Sequence, residues 1–141
     1  MITQTQYQNI VYASEALIEN HKLGLKCREK YRDNDERCCL CVMADLAEDV
    51  LERPRGSLEI PEEVGLPMYE EMHKFYGMDG LTFRSGFNPK IKILGKYGTM
   101  ADHNDSNIFD FSEEVIGYIS EKTHEEIGLA LLDWANEQEI E

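Results

Sequence analysis

The sequence has no apolar run approaching the ~20 residues that a membrane-crossing helix needs. Its first residues, Met1-Ile2-Thr3-Gln4-Thr5-Gln6, carry neither a positive charge nor an apolar block, so no secretory signal is expected there. Basic residues are scarce, 14 against 28 acidic ones. Phosphate backbones need Lys and Arg to displace counterions, so general nucleic-acid binding is disfavoured. There is no phosphate-binding glycine loop, no dinucleotide fingerprint, no internal repeat and no low-complexity tract. These gaps leave a protein with no expected cofactor and no direct contact to membrane or nucleic acid.

What remains is a chain of 141 residues with enough apolar side chains to bury one core, which is the size of a single domain spanning residues 1–141. The four cysteines are Cys27, Cys38, Cys39 and Cys41. Three fall within four residues, a spacing that makes no disulfide framework, so reduced thiols in a cytoplasm are expected. The net charge of −14 is uneven. Residues 101–141 hold twelve acids and Lys122, a net of −11, and residues 1–100 carry the other −3. Such a surface keeps a protein soluble, and it can also steer the protein onto a basic partner.

Hydrophobic spacing predicts an amphipathic helix over residues 5–20, with Tyr7, Ile10, Val11, Ser14, Leu17 and Ile18 on one face and Thr3 or Thr5 as cap. Alternation of Leu23, Leu25 and Cys27 suggests a strand reaching Tyr31, and Asp33-Asn34-Asp35 is turn chemistry. A second helix is predicted over residues 38–52. Asp45, Glu48, Asp49 and Glu52 form one polar stripe on it and nearly everything else, Leu46 included, is apolar. Pro54 ends it. Residues 61–64 read as a short helical start, residues 67–76 as a helix stopped by Gly77, and residues 90–94 as a strand in a glycine-rich stretch. A helix from Asp110 or Ser112 to Ser120 follows. The last helix opens with a capping box, Thr123 at the cap and Glu126 three on. The pattern specifies an α+β domain: a central helix packed on a small sheet, with two C-terminal helices.

Arg37-Cys38-Cys39-Leu40-Cys41-Val42-Met43-Ala44-Asp45-Leu46-Ala47 resembles the Cys-Cys-Leu-Gly-Val-Leu segment of a family of small proteins of tailed bacteriophages. Ile60-Pro61-Glu62-Glu63-Val64 matches its Leu-Pro-x-Glu-Val stretch. Asn104-Asp105-Ser106, followed by Phe111, Glu114, Val115, Ile116 and Ile119, matches its Asn-Asp-Ser segment and the helix after it. The likeness spans about residues 8–121. It departs at Cys41 and at Asn107, both glycine in the family pattern, and in the extra final helix. The resemblance implies a phage accessory protein working in the host cytoplasm, and it implies no activity.

Three constellations invite chemistry. Cys38 and Cys41 form a Cys-x-x-Cys at a helix start, where N–H groups favour a thiolate, but the neighbouring carboxylates oppose it. Cys38 or Cys39 with His103 as base and Asn104 or Asp105 as orienting group has the composition of a papain-like set. The alternative for Asn104-Asp105-Ser106 is a turn whose side chains bind backbone N–H groups. A zinc site from Cys27, Cys38, Cys41 and His103 or His124 lacks paired ligand spacing, and Asp102, Asp105 and Asp110 lack the EF-hand spacing, so no metal is expected. The leading expectation is a non-enzymatic acidic protein that binds a host or phage protein. Glu113, Glu114, Glu121, Glu125 and Glu126 would form its contact face. A thiol-dependent enzyme using residues 38–41 is the alternative.

Overall fold

A computed structural model describes residues 1–60, 65–106 and 119–141. Helix α1, Gln4–Lys22, starts at Thr3, whose hydroxyl accepts the Gln6 N–H while the Gln6 side chain accepts the Thr3 N–H. That reciprocal pair satisfies two of the donors a helix start leaves open. Two short strands, β1 Arg32–Asp33 and β2 Glu36–Arg37, pair antiparallel around Asn34, which takes the positive φ the turn requires. Helix α2, Cys39–Val50, follows, then α3, Tyr69–Tyr76, which stops at left-handed Gly77. Strands β3, Lys90–Ile93, and β4, Lys96–Thr99, form an antiparallel hairpin with Lys92 opposite Tyr97. The chain then enters α4, Met100–Asp105, and later α5, His124–Asn136, behind the expected Thr123–Glu126 capping box.

Together these make a small α+β domain with five helices and two small antiparallel sheets among the described residues. No helix among those residues is long and apolar enough to cross a membrane.

The widest helix interface joins α1 to α5. Ile10, Ala13 and Leu17 of α1 meet Ile127, Leu131 and Ala135 of α5 in the core. Gly128 makes the approach close, because a Cβ there would lie 2.9 Å from the Ser14 carbonyl oxygen. The Ser14 hydroxyl donates to the Gly128 carbonyl oxygen at 2.7 Å. Beyond the helices, Ile2 pairs with Ile140 in a parallel bridge.

Helix α2 is the central helix, packed against α1, α3, α4 and β2. Its face is rotated from the expected one. Glu48 is 1 % exposed, whereas Leu46 is half-buried and Val50 and Leu51 are exposed. The reason is long-range pairing: Glu48 accepts the Leu58 N–H at 3.0 Å and meets Arg55 at 3.4 Å. Asp45 is gripped by Arg32 at 2.9 Å and Arg37 at 3.0 Å. Buried carboxylates are stable only when paired in this way.

The expected strand over residues 23–31 is absent. That stretch makes a single bridge, Lys26 to Arg37, and is otherwise irregular. The predicted starts at residues 61–64 and at Asp110 or Ser112 lie outside the described residues.

Candidate functional site

The two segments that stood out in the sequence, residues 38–41 and 104–106, meet in space. The link is Asn104, which is wholly buried. Its Oδ1 accepts the Cys39 N–H at 3.0 Å, one of the open donors at the start of α2. Its Nδ2 donates to the Cys27 carbonyl at 3.0 Å and to Asp105 Oδ1 at 2.6 Å. Because Cys39 N–H can only donate and the Cys27 carbonyl can only accept, the orientation of the amide is fixed.

That orientation sets the tautomer of His124, another wholly buried residue. His124 Nε2 lies 2.9 Å from Asn104 Oδ1 and must present its proton there. Nδ1 lies 2.7 Å from the side-chain amide of Asn20, at the end of α1. Two oxygens facing the ring would suit an imidazolium. Burial opposes that charge and pushes the His124 pKa down to about 3, with Lys26 and His21 acting in the same direction. A neutral ring is satisfied if Asn20 turns its NH2 toward Nδ1, which the geometry allows equally well. Burial is the larger effect, so we assign the neutral Nε2–H form.

Around this centre, Lys26 Nζ donates to the Asn104 carbonyl at 2.6 Å and pairs with Glu121. Asp105 Oδ1 accepts the Glu29 N–H at 2.9 Å. Asn104 and Asp105 therefore close a helix end and tie it to distant segments. They are the last two residues of α4, and Ser106, with φ 80°, ends that helix; the helix expected after this segment lies outside the described residues.

The cysteines are buried and unpaired. Cys38 caps α2, its sulfur accepting the Cys41 N–H at 3.4 Å. Burial raises the Cys38 thiol to about 12 despite that bond. It raises Cys27, Cys39 and Cys41 as well, with the Asp45 carboxylate adding to the effect at Cys41. The site holds neutral thiols. A cavity of about 180 Å³ opens beside it, bounded by Tyr31, Cys38, Leu40, Ala101, Asn104 and Asp105.

His103, the base expected for a papain-like set, is turned elsewhere. Its Nε2 meets the Ile91 carbonyl at 3.0 Å, and burial lowers its pKa. The imidazole that shares Asn104 belongs to His124. Asn20 carried no motif of its own; His124 stood out in the sequence only as a possible zinc ligand and by its place just inside a capping box, and neither pointed to Asn104. Among the described residues, no three His, Cys, Asp or Glu side chains gather as a metal site.

Of the expected contact carboxylates, Glu113 and Glu114 lie outside the described residues. Glu121 pairs with Lys26 and Arg28. The Glu126 side chain accepts the Thr123 N–H at 2.9 Å. Glu125 is exposed in the first turn of α5. Comparison with protein-family models, with curated proteins and with solved structures gives no match.

Proposed function

We propose that the chain is a non-enzymatic accessory protein of a tailed bacteriophage that binds a basic protein of the host or the phage in the host cytoplasm. One observation carries this reading. The thiols, His103, Asn104 and His124 are all committed to internal hydrogen bonds or burial, so the chemistry-bearing side chains work as structure. What a partner meets is the outer surface, with its excess of carboxylates.

The test begins with affinity capture of the partner at low and high salt. Association is then timed for the chain and for a Glu113→Gln, Glu114→Gln, Glu125→Gln variant. Long-range attraction between exposed charges is screened over about 8 Å at physiological ionic strength. The variant should associate more slowly, and salt should affect it less. Equal rates and equal salt dependence would remove the acidic face from the mechanism.

A second reading, a thiol-dependent enzyme, draws on the cavity that Cys38 shares with Asn104 and Asp105. It requires that a native thiol react. Thiols held neutral by burial should resist iodoacetamide at pH 7.5 until urea is added. Rapid native alkylation of Cys38 would favour the enzyme.

A further inference from the structure

Three antiparallel bridges set four passes of the chain side by side: Glu59 with Pro67, Met68 with Gly86, and Leu81 with Phe87. Leu81 stands at one end of that row and Glu59 at the other. Around the last bridge, Thr82 N–H donates to the Gly86 carbonyl at 2.9 Å and Asn88 N–H to the Gly80 carbonyl at 2.8 Å. In an antiparallel ladder this pattern turns the N–H and C=O of the residue between, Leu81, away from Phe87. Neither group has a partner among the described residues. At the opposite edge the Glu59 N–H is taken by the Gly56 carbonyl at 3.2 Å, and the residue is itself charged.

Open edges recruit other chains unless charge, proline or a bulge blunts them. Residues 80–83 bring none of these. They are Gly80, Leu81, Thr82 and Phe83, with Leu81 64 % exposed and Phe83 92 %. A closed turn holds Phe83 in place, with Ser85 N–H on the Thr82 carbonyl at 3.1 Å and Gly86 N–H on the Thr82 hydroxyl at 2.9 Å. Beside the edge lies a groove of about 600 Å³ walled by Ile60, Met68, Tyr69 and Leu81.

We infer that this edge pairs with the same edge of a second copy of the chain, antiparallel about a two-fold axis through Leu81. The pairing is self-complementary. Each Leu81 donates its N–H to the other's carbonyl, which is the exchange an antiparallel ladder makes at a hydrogen-bonded pair. Two residues on, Phe83 of one copy comes opposite Asp79 of the other. Asp79 accepts the Tyr69 hydroxyl at 3.2 Å, so the incoming ring arrives at the groove wall formed by Tyr69 and Leu81. Asp79 precedes the edge and Arg84 follows it, so the antiparallel arrangement sets unlike charges of the two copies toward each other. Two buried aromatic rings remove roughly 300–500 Å² from water. Even with both Leu81 side chains added, the contact falls short of the about 1,200 Å² of a stable interface. The dimer is therefore weak. Each copy also carries a net charge of −14, whose repulsion salt screens, so association strengthens as salt rises. That sign is opposite to the one expected for the acidic contact face, and the two surfaces are independent.

Sedimentation velocity of the full chain, from about 10 to 500 μM and at about 50 and 500 mM NaCl, tests this. A monomer–dimer equilibrium is expected, half-associated on the order of 100 μM at the higher salt and at least about threefold weaker at the lower. Leu81→Lys sets like charges face to face on the axis, and Phe83→Ser withdraws the ring from the groove. Each should weaken association about tenfold or more, with thermal melting of the dilute chain unchanged. Leu94→Ser, which alters an exposed side chain of the β3–β4 hairpin, should dimerise as the parent does. Cross-linking gives a second measurement. Two thiols in Leu81→Cys would meet at the Cα spacing of about 5.5 Å that suits a disulfide. Oxidised glutathione should link that variant into dimers faster than Leu94→Cys, the native cysteines being buried. The inference is overturned if the chain stays monomeric at the highest concentration and salt, or if either Leu81→Lys or Phe83→Ser dimerises as the parent does. It is equally overturned if Leu94→Ser dissociates the dimer, or if Leu81→Cys links no faster than Leu94→Cys. Association continuing past the dimer would also overturn it, because a two-fold pairing closes on itself.

Discussion

Replacing Asn104 by alanine removes more than its size suggests. The side chain is wholly buried and satisfies the Cys39 N–H, the Cys27 carbonyl and the His124 Nε2–H. Alanine leaves those three groups with no side-chain partner. An unsatisfied buried donor or acceptor costs about 1–3 kcal/mol. Relaxation recovers part of that, because the adjoining cavity of about 180 Å³ can admit a water molecule. The expected net loss is about 3–6 kcal/mol, a large share of the roughly 5–15 kcal/mol that a small domain possesses. Urea unfolding followed by circular dichroism measures it. The midpoint should fall sharply with the slope unchanged. Asp105→Ala, which frees only the exposed Glu29 N–H and one bond to Asn104, should cost clearly less. A loss below about 1 kcal/mol for Asn104→Ala would mean that the hub is not formed as described.

Three further outcomes are expected. Asp45→Ala should destabilise about as much as Leu46→Ala, each by roughly 1–3 kcal/mol, because it strands two partly buried guanidinium groups; Met43→Ala, wholly buried, should exceed both at about 2–5 kcal/mol in the same urea series. Gly128→Ala should lower the melting temperature although alanine favours helix, since the new Cβ meets the fixed Ser14 carbonyl oxygen at 2.9 Å; an unchanged or raised value would refute the close packing. His124 titrates near 6.5 when unfolded and near 3 in the fold, so the unfolded chain binds the extra proton first and stability should fall as pH drops from about 6.5 towards 3. His103, also lowered, acts in the same direction. Urea melts at pH 7.5 and pH 5 should show this fall, and it should be smaller in His124→Gln.

Local chemistry was legible in the sequence where it closes within a few residues. The Thr123–Glu126 box, the Gly77 stop and the alternation of β3 all appear where spacing places them. The central helix is also where its apolar run predicts. Its buried face was not legible, because Glu48 goes inside only through Arg55 and the Leu58 N–H, in a loop that no periodicity describes. The strand expected at residues 23–31 failed for a related reason. Its backbone finds one bridge partner in Arg37, and Lys26 and Cys27 turn to Asn104 instead. Asn104 itself read as a turn residue because its three decisive partners lie 20 to 77 positions away. Asn and His have no pattern that announces such reach.

The pairing of α1 with α5 has a consequence during synthesis. Ser14 and Gly128 are separated by 114 positions, so at about 5–20 residues per second a ribosome needs roughly 6–23 s to supply the partner of α1. In that interval Ala13, Ser14 and Leu17 have no α5 to cover them. Most of a helix's stability in a protein comes from tertiary packing, which α1 lacks on that face until then. Asn9 reaches the Phe75 carbonyl, however, so α1, α2 and α3 can dock on the nascent chain before α5 emerges. A chain interrupted between Tyr76 and His124 would keep that partial assembly with an open apolar seam, and proteases or chaperones would meet it as an unfinished protein.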